Sequence, residues 1–221
     1  MRRLSACLIS ACVSLLTALP ALAADSTEPQ VRITPELSGI DVNHAGQPVR
    51  IQRNQDQSNE IHPAFQRTSR RCPPFCVQPM QMPDGVETIG ELEMLGYLER
   101  IAKGDESILV IDSRGSDWLE RGTIPGSVNI HYKLLSRGSA SEEDIARIMR
   151  ERFDAERGDQ LWDFGFAKTL VLFCNGSWCG QSPTNIRALL RLGYPPSKIK
   201  WYRGGMQSWE AAGLTTVVPA R

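Results

Sequence analysis

The stretch Leu170–Tyr194, LVLFCNGSWCGQSPTNIRALLRLGY, decides how the chain reads. It continues an apolar run that starts at Thr169, "TLVLFC", without the alternation of a half-exposed strand, as a strand buried on both faces of a parallel sheet would. The run ends in Cys174. A short loop follows, carrying Gly176, Gly180 and a second thiol, Cys179. Ser182 as N-cap, Pro183 at the first helical position and Gly193 just past the last turn then outline a helix. In such a loop several backbone N–H groups can converge on one sulfur, with the positive end of the helix dipole behind them. A thiolate is the nucleophile, and an unperturbed thiol has a pKa of about 8.5, so convergent amides would make Cys174 reactive near neutral pH.

Outward from this stretch the pattern repeats. "SILVID" (Ser107–Asp112), "SVNIH" (Ser127–His131) and "IKWY" (Ile199–Tyr202) are short apolar runs fit for strands. Between them, "ETIGELEMLGYLERIAKG" spaces Ile89, Leu92, Leu95 and Leu98 along one helical stripe and stops at Gly104. "SASEEDIARIMRERF" has Ser141 as N-cap, acidic residues in its first turn, and Ile145, Ile148, Met149 and Phe153 as a core stripe. Alternating strands and helices imply an α/β fold, a parallel sheet with helices on both faces. Ligands are expected where strand C-termini meet helix N-termini.

The flanks read differently. The chain opens with two arginines, an apolar stretch and Ala21-Leu22-Ala23, the pattern of a cleavable signal peptide over residues 1–23. Export to the periplasm is therefore expected, with about 198 residues left and no membrane attachment after cleavage. Residues 24–85 form a polar extension. Within it "SGIDVNHAGQPVRIQRN" alternates around Ala45-Gly46, a β-hairpin that must lean on the main domain or stay mobile. "RCPPFCVQPMQMPDG" follows as a proline-stiffened connector. The main domain is expected over residues 86–219. With 25 basic and 25 acidic residues and no basic run, the chain offers neither nucleic acid nor an anionic membrane a binding face.

Three separated motifs resemble the rhodanese-like family. "VIDSRGSDWLERGTIPGSVNI" matches its strand ending in Asp-x-Arg followed by Gly-x-Ile-Pro-Gly-x-x-Asn-Ile, "WYRGGMQSWEAAGL" matches its closing Gly-Gly-x-x-x-Trp-x-x-x-Gly, and "VLFC" falls where the family places its active cysteine. The resemblance implies a sulfurtransferase or persulfide carrier. Cys174 would take a sulfane sulfur from a small donor such as thiosulfate, or from a protein persulfide, and pass it to a nucleophilic acceptor without a cofactor or metal. It implies a substrate cradle of Asn175, Gly176, Ser177, Trp178, Gly180, Gln181 and Ser182. Arg187, on the first turns of the helix, is the candidate cation facing that cradle, with a solvated helix face as the alternative. Asp112 and Arg114 are expected as a structural ion pair beside it.

Two departures stand out. Many sulfurtransferases carry an arginine five residues after the nucleophile, where this chain has Cys179; rhodanese-fold phosphatases carry one six residues after, where it has Gly180, which excludes phosphatase chemistry. Cys179 has three readings: a resolving thiol for Cys174, a structural disulfide partner, or an inert loop thiol. Cys72-Pro73-Pro74-Phe75-Cys76 reads as a short-loop disulfide, a redox pair, or, with Met80 and Met82, a soft site for Cu(I). The alternatives to sulfur transfer are a thiol–disulfide oxidoreductase using Cys174 and Cys179, and a non-catalytic binding module with the loop covered by the extension.

Overall fold

The computed structural model describes residues 30–82, 85–158 and 161–219. The expected signal peptide lies outside the described residues. The chain forms β1 (Gly39–His44), β2 (Gln47–Gln52), α1 (Pro63–Gln66), β3 (Glu87–Ile89), α2 (Glu91–Ala102), β4 (Ile108–Asp112), α3 (Ser116–Leu119), β5 (Val128–Asn129), α4 (Glu142–Phe153), β6 (Glu156–Arg157), β7 (Trp162–Asp163), β8 (Thr169–Phe173), α5 (Gln181–Arg191), β9 (Ile199–Tyr202) and α6 (Gly205–Ala211). Five strands make one sheet in the order β3-β9-β8-β4-β5, every neighbouring pair parallel. Among the described residues no helix is long and apolar enough to cross a membrane.

The central strand explains the division of the core. Leu170 to Phe173 on β8 have no exposed surface, and successive side chains leave a strand on opposite faces. Val171 and Phe173 join one core with Met94, Leu95 and Leu98 of α2 and Met206 and Trp209 of α6. Leu170 and Leu172 join the other, with Ile145, Met149 and Phe153 of α4 and Ile186 and Leu189 of α5. The uninterrupted apolar run thus reflects two cores sharing one strand. The stripe expected on α4 is the one observed, with Ile148 at its half-buried margin, and the Ser141 side chain caps the helix by accepting from the Asp144 N–H.

The hairpin leans on the main domain. Ala45 and Gly46 both take positive φ, 51° and 83°, as a two-residue turn matched to strand twist requires. Ile40, Val42 and Ile51 bury their side chains in the first core beside α2, and the His44 Nδ1 accepts from the Gly126 N–H at 3.1 Å.

Three expectations need correction. Glu87–Ile89 is not helix but an edge strand paired with Lys200–Tyr202, and three residues are too few to display a period. The helix begins only at Glu91, where the Gly90 N–H donates to the Glu93 carboxylate at 3.0 Å, so Leu92 sits in the first turn and is exposed while Met94 joins the buried stripe. The helix after the cysteine loop is capped two residues earlier than expected: Gly180 is the N-cap, and its carbonyl accepts from the Thr184 N–H at 3.0 Å. Pro183 then lies in the first turn, where the missing N–H has no intrahelical acceptor to lose. Ser182 is released from capping. The β6–β7 hairpin carries no apolar alternation and was not expected.

Candidate functional site

Cys174 directly follows β8, and the loop from Asn175 to Gly180 carries the chain into α5. The loop is closed on itself by the Cys179 N–H donating to the Gly176 carbonyl at 2.9 Å. Its outer side is held by α6. The N–H groups of Met206 and Gln207 donate to the carbonyls of Cys174 and Asn175, each at 2.9 Å, so the first turn of one helix binds the loop that enters another. Beneath it lies the Asp112–Arg114 pair, fully buried at 2.6 Å. Arg114 also donates to the Gly122 carbonyl at 2.6 Å and to the Asn175 side chain at 3.4 Å, and the Thr123 hydroxyl donates to Asp112 at 2.7 Å. Each charge is thereby matched by several hydrogen bonds, which a buried pair needs to offset its desolvation. The pair anchors the loop.

The donors converge on one sulfur. Cys174 is 2% exposed. Burial pushes its thiol up, but hydrogen bonds from the Cys179 thiol, the Ser182 hydroxyl and the backbone N–H groups of Ser182 and Gly176 outweigh burial and bring it down to about 7. The Ser182 hydroxyl, one residue into α5, is buried beside this sulfur with no oxygen or nitrogen partner among the described residues. Cys179 moves the other way. Burial, then the hydrogen bond and charge of Cys174, push it well above its ordinary value. The two thiols thus part in acidity, Cys174 toward ionisation and Cys179 toward the neutral thiol.

Both thiols are free, which overturns the reading of Cys179 as a standing disulfide partner. Cys72 and Cys76 are joined as a disulfide. That bond removes both thiolates a copper ion would need, and the two methionines part company: Met82 is buried and Met80 exposed. Among the described residues no group of three or more His, Cys, Asp or Glu could hold a metal. Asn175, Gly176, Ser177, Trp178, Gly180, Gln181 and Ser182 all lie in the loop or the first turn of α5. Arg187 is not brought to the loop; it is exposed along α5, five positions after Ser182, while Ile186 and Ala188 on either side face the core.

The extension covers the loop, as the binding-module alternative expects, but most of the residues that make the cover escaped the sequence reading. The Gln78 N–H donates to the Ser177 carbonyl at 2.8 Å, and Arg203 holds the carbonyls of Gln78 and Pro79 at 2.8 and 3.0 Å. Trp178 donates from its indole to the Gln207 side chain at 2.8 Å, which in turn donates to the Phe65 carbonyl at 2.9 Å. Phe75, inside the disulfide-closed loop, meets the Trp178 ring edge-on at 5.7 Å, and Phe65 stacks on Trp118 at 5.7 Å. Gly205 backs onto the loop so closely that a side chain there would overlap the Cys174 carbonyl. Only Gly205, in the glycine pair after the last strand, left a mark in the sequence.

The ionisation is measurable. The rate of Cys174 alkylation by iodoacetamide should rise with pH through a midpoint of about 7, because only the thiolate reacts. Cys179→Ala removes a hydrogen bond to a charged group, roughly 1.5–3 kcal/mol, so its midpoint should move up by about one to two pH units. Site-resolved mass spectrometry reads both; a wild-type midpoint at the value of free cysteine would remove the anion from the site.

Among family models, the one described as the Rhodanese-like domain matches residues 96–212. Solved structures similar to the chain include the human single-domain sulfurtransferase TSTD1, with 21% identity, 57% of this chain and 97% of that chain covered and a TM-score of 0.37. The single-domain sulfurtransferase RDL2 of Saccharomyces cerevisiae has 14% identity, covers 60% and 95% and scores 0.40. BH2092 of Bacillus halodurans has 18% identity, covers 57% and 72% and scores 0.39. No curated protein matched the chain.

Proposed function

From the premise that the chain belongs to the rhodanese-like domain family, whose model spans more than half of it, we propose that the protein is a sulfurtransferase or persulfide carrier with Cys174 as the sulfur-accepting nucleophile. The observation that carries the proposal is the placement of the buried Cys174 between the end of β8 and the loop into α5, where Gly176, Ser182 and Cys179 surround its sulfur and lower its thiol to about 7. In the first half-reaction the Cys174 thiolate attacks the outer sulfur of thiosulfate; the S–S bond of the donor breaks, sulfite leaves with its electron pair, and a Cys174 persulfide anion remains. A nucleophilic acceptor then takes the outer sulfur and restores the thiolate. The same donors that favour the thiolate favour the persulfide anion, so the charge is held through both steps.

A second role for Cys179 has support in its place beside Cys174, whose thiol donates to the Cys179 carbonyl at 3.5 Å and whose acidity is tied to that of Cys179. The Cys179 thiol stays protonated, which makes it a donor at rest and a slow nucleophile. When its proton passes to the outer sulfur of the persulfide, attack of the Cys179 sulfur on the inner sulfur breaks the persulfide S–S bond, forms a Cys174–Cys179 disulfide and expels hydrosulfide, with the sulfane sulfur as the oxidant. This gives the site redox control without a separate oxidant. An exported, periplasmic setting, proposed from residues 1–23, agrees with the Cys72–Cys76 disulfide, since such bonds persist in oxidising compartments.

The test is direct. Protein treated with thiosulfate should gain one sulfur on the peptide containing Cys174, and a thiol acceptor should remove it. Absence of the gain, or its location on Cys179, would refute the assignment.

A further inference from the structure

Over Trp178 of the cysteine loop lie residues from outside the segment that forms the cradle. Arg70, in the extension between α1 and the disulfide, places its guanidinium carbon 4.1 Å from the centre of the Trp178 ring, 5.7 Å from that of Phe75 and 6.0 Å from that of Trp118. One amino group donates to the Ala64 carbonyl at 2.6 Å, while the Nε is buried with no partner. A buried donor left without an acceptor costs about 1–3 kcal/mol and asks for an explanation.

The electrical surroundings supply one. Arg67 and Arg121 stand close enough to repel Arg70, and Arg121 lies over the Trp118 ring at 4.5 Å. Among the described residues, none of these three arginines pairs with a carboxylate. The acidic group nearest in influence to Arg70 is the Cys179 thiol, a member of the loop itself, and it is held neutral. Three cations with no carboxylate partner among the described residues, one of them backed by aromatic rings with an unused N–H, suit the binding of an anion.

We propose that Arg70 is a specificity-determining residue of the sulfur-transfer site, binding the anionic end of a small sulfur donor while its sulfane sulfur approaches Cys174. The proposal rests on the sulfur-transfer reading above and adds the residue that selects the donor. It assigns the extension a share in the site. It also answers the replacement of arginine by Cys179 in the loop: the positive charge comes from a segment more than a hundred residues earlier in the chain.

The test compares two alkylating agents of nearly equal size, anionic iodoacetate and neutral iodoacetamide, each of which loses iodide as the Cys174 sulfur bonds to its carbon. The ratio of their rates at Cys174, localised by mass spectrometry, should fall about tenfold in Arg70→Gln, as expected for loss of one charge-assisted hydrogen bond, with the iodoacetamide rate held within roughly twofold. Arg70→Lys should keep most of the preference, and the KM for thiosulfate should rise about tenfold in Arg70→Gln with kcat largely retained. An unchanged ratio overturns the proposal. So does an equal change in both rates, which would make Arg70 only a strut of the cover. If the wild-type protein shows the Arg70-dependent preference yet gains no sulfur from thiosulfate, the sulfur-transfer reading fails and the assignment of Arg70 as the anion-selecting residue stands.

Discussion

Cys174→Ser is expected to take up no sulfur from thiosulfate, a loss of at least about a thousandfold in transfer. A serine hydroxyl remains protonated in the same cradle, because the donors that bring the thiol to about 7 act on a group that starts many units higher. No persulfide can form on an oxygen atom. The fold should survive: the hydroxyl can accept from the same N–H groups of Gly176 and Ser182, so unfolding stability should change by about 1 kcal/mol or less. The two readouts separate chemistry from structure. Peptide mass spectrometry after thiosulfate treatment follows the sulfur, and a denaturant titration follows the fold. Transfer retained within tenfold of wild type would mean that another atom carries the sulfur.

Gly205→Ala should cost about 3 kcal/mol of stability and disable the cradle together. Gly205 has φ 55°, where a side chain costs roughly 1–2 kcal/mol. The new carbon would also overlap the Cys174 carbonyl and lie 2.8 Å from the Gly176 nitrogen, and forcing atoms into such a contact costs about 1–3 kcal/mol. The atoms it meets are loop backbone, which cannot swing aside as a flexible side chain would. Relief therefore comes by pushing the loop away from α6, which breaks the hydrogen bonds from Met206 and Gln207 and turns the Gly176 N–H off the sulfur. The expected signature is a lowered denaturation midpoint with the midpoint of Cys174 alkylation shifted up toward that of free cysteine. A variant as stable and as reactive as wild type would show that the close approach of α6 does not set the loop.

How far the sequence reached can be judged element by element. The stripe on α4 was legible because twelve residues complete three turns and Ser141 marks their start. The edge strand at Glu87–Ile89 was not, because three residues carry no periodicity and the following helix pattern ran over them. The placement of a buried thiol between the central strand and α5 was legible from the Cys174–Ser182 stretch. Its protonation was not, because Cys179 differs from Cys174 in what surrounds it and not in residue type. Arg187 illustrates the converse error: nearness in sequence to the loop suggested a cation for the cradle, and the turn of α5 points it to solvent.

By itself, then, the order of residues determined a parallel sheet with an apolar central strand, and a thiol at the point where that strand gives way to a helix. These follow from interactions between neighbours in the chain: strand and helix periods, and amides belonging to residues two and eight positions from the sulfur. The tertiary structure alone decided what closes over that thiol. Phe65 and Gln207, which help hold the cover, are separated by 142 positions, and Arg70 and Gly205 meet the same loop from distant parts of the chain. No local pattern announces such pairs, because each is selected by the space and charge left over once the sheet has formed.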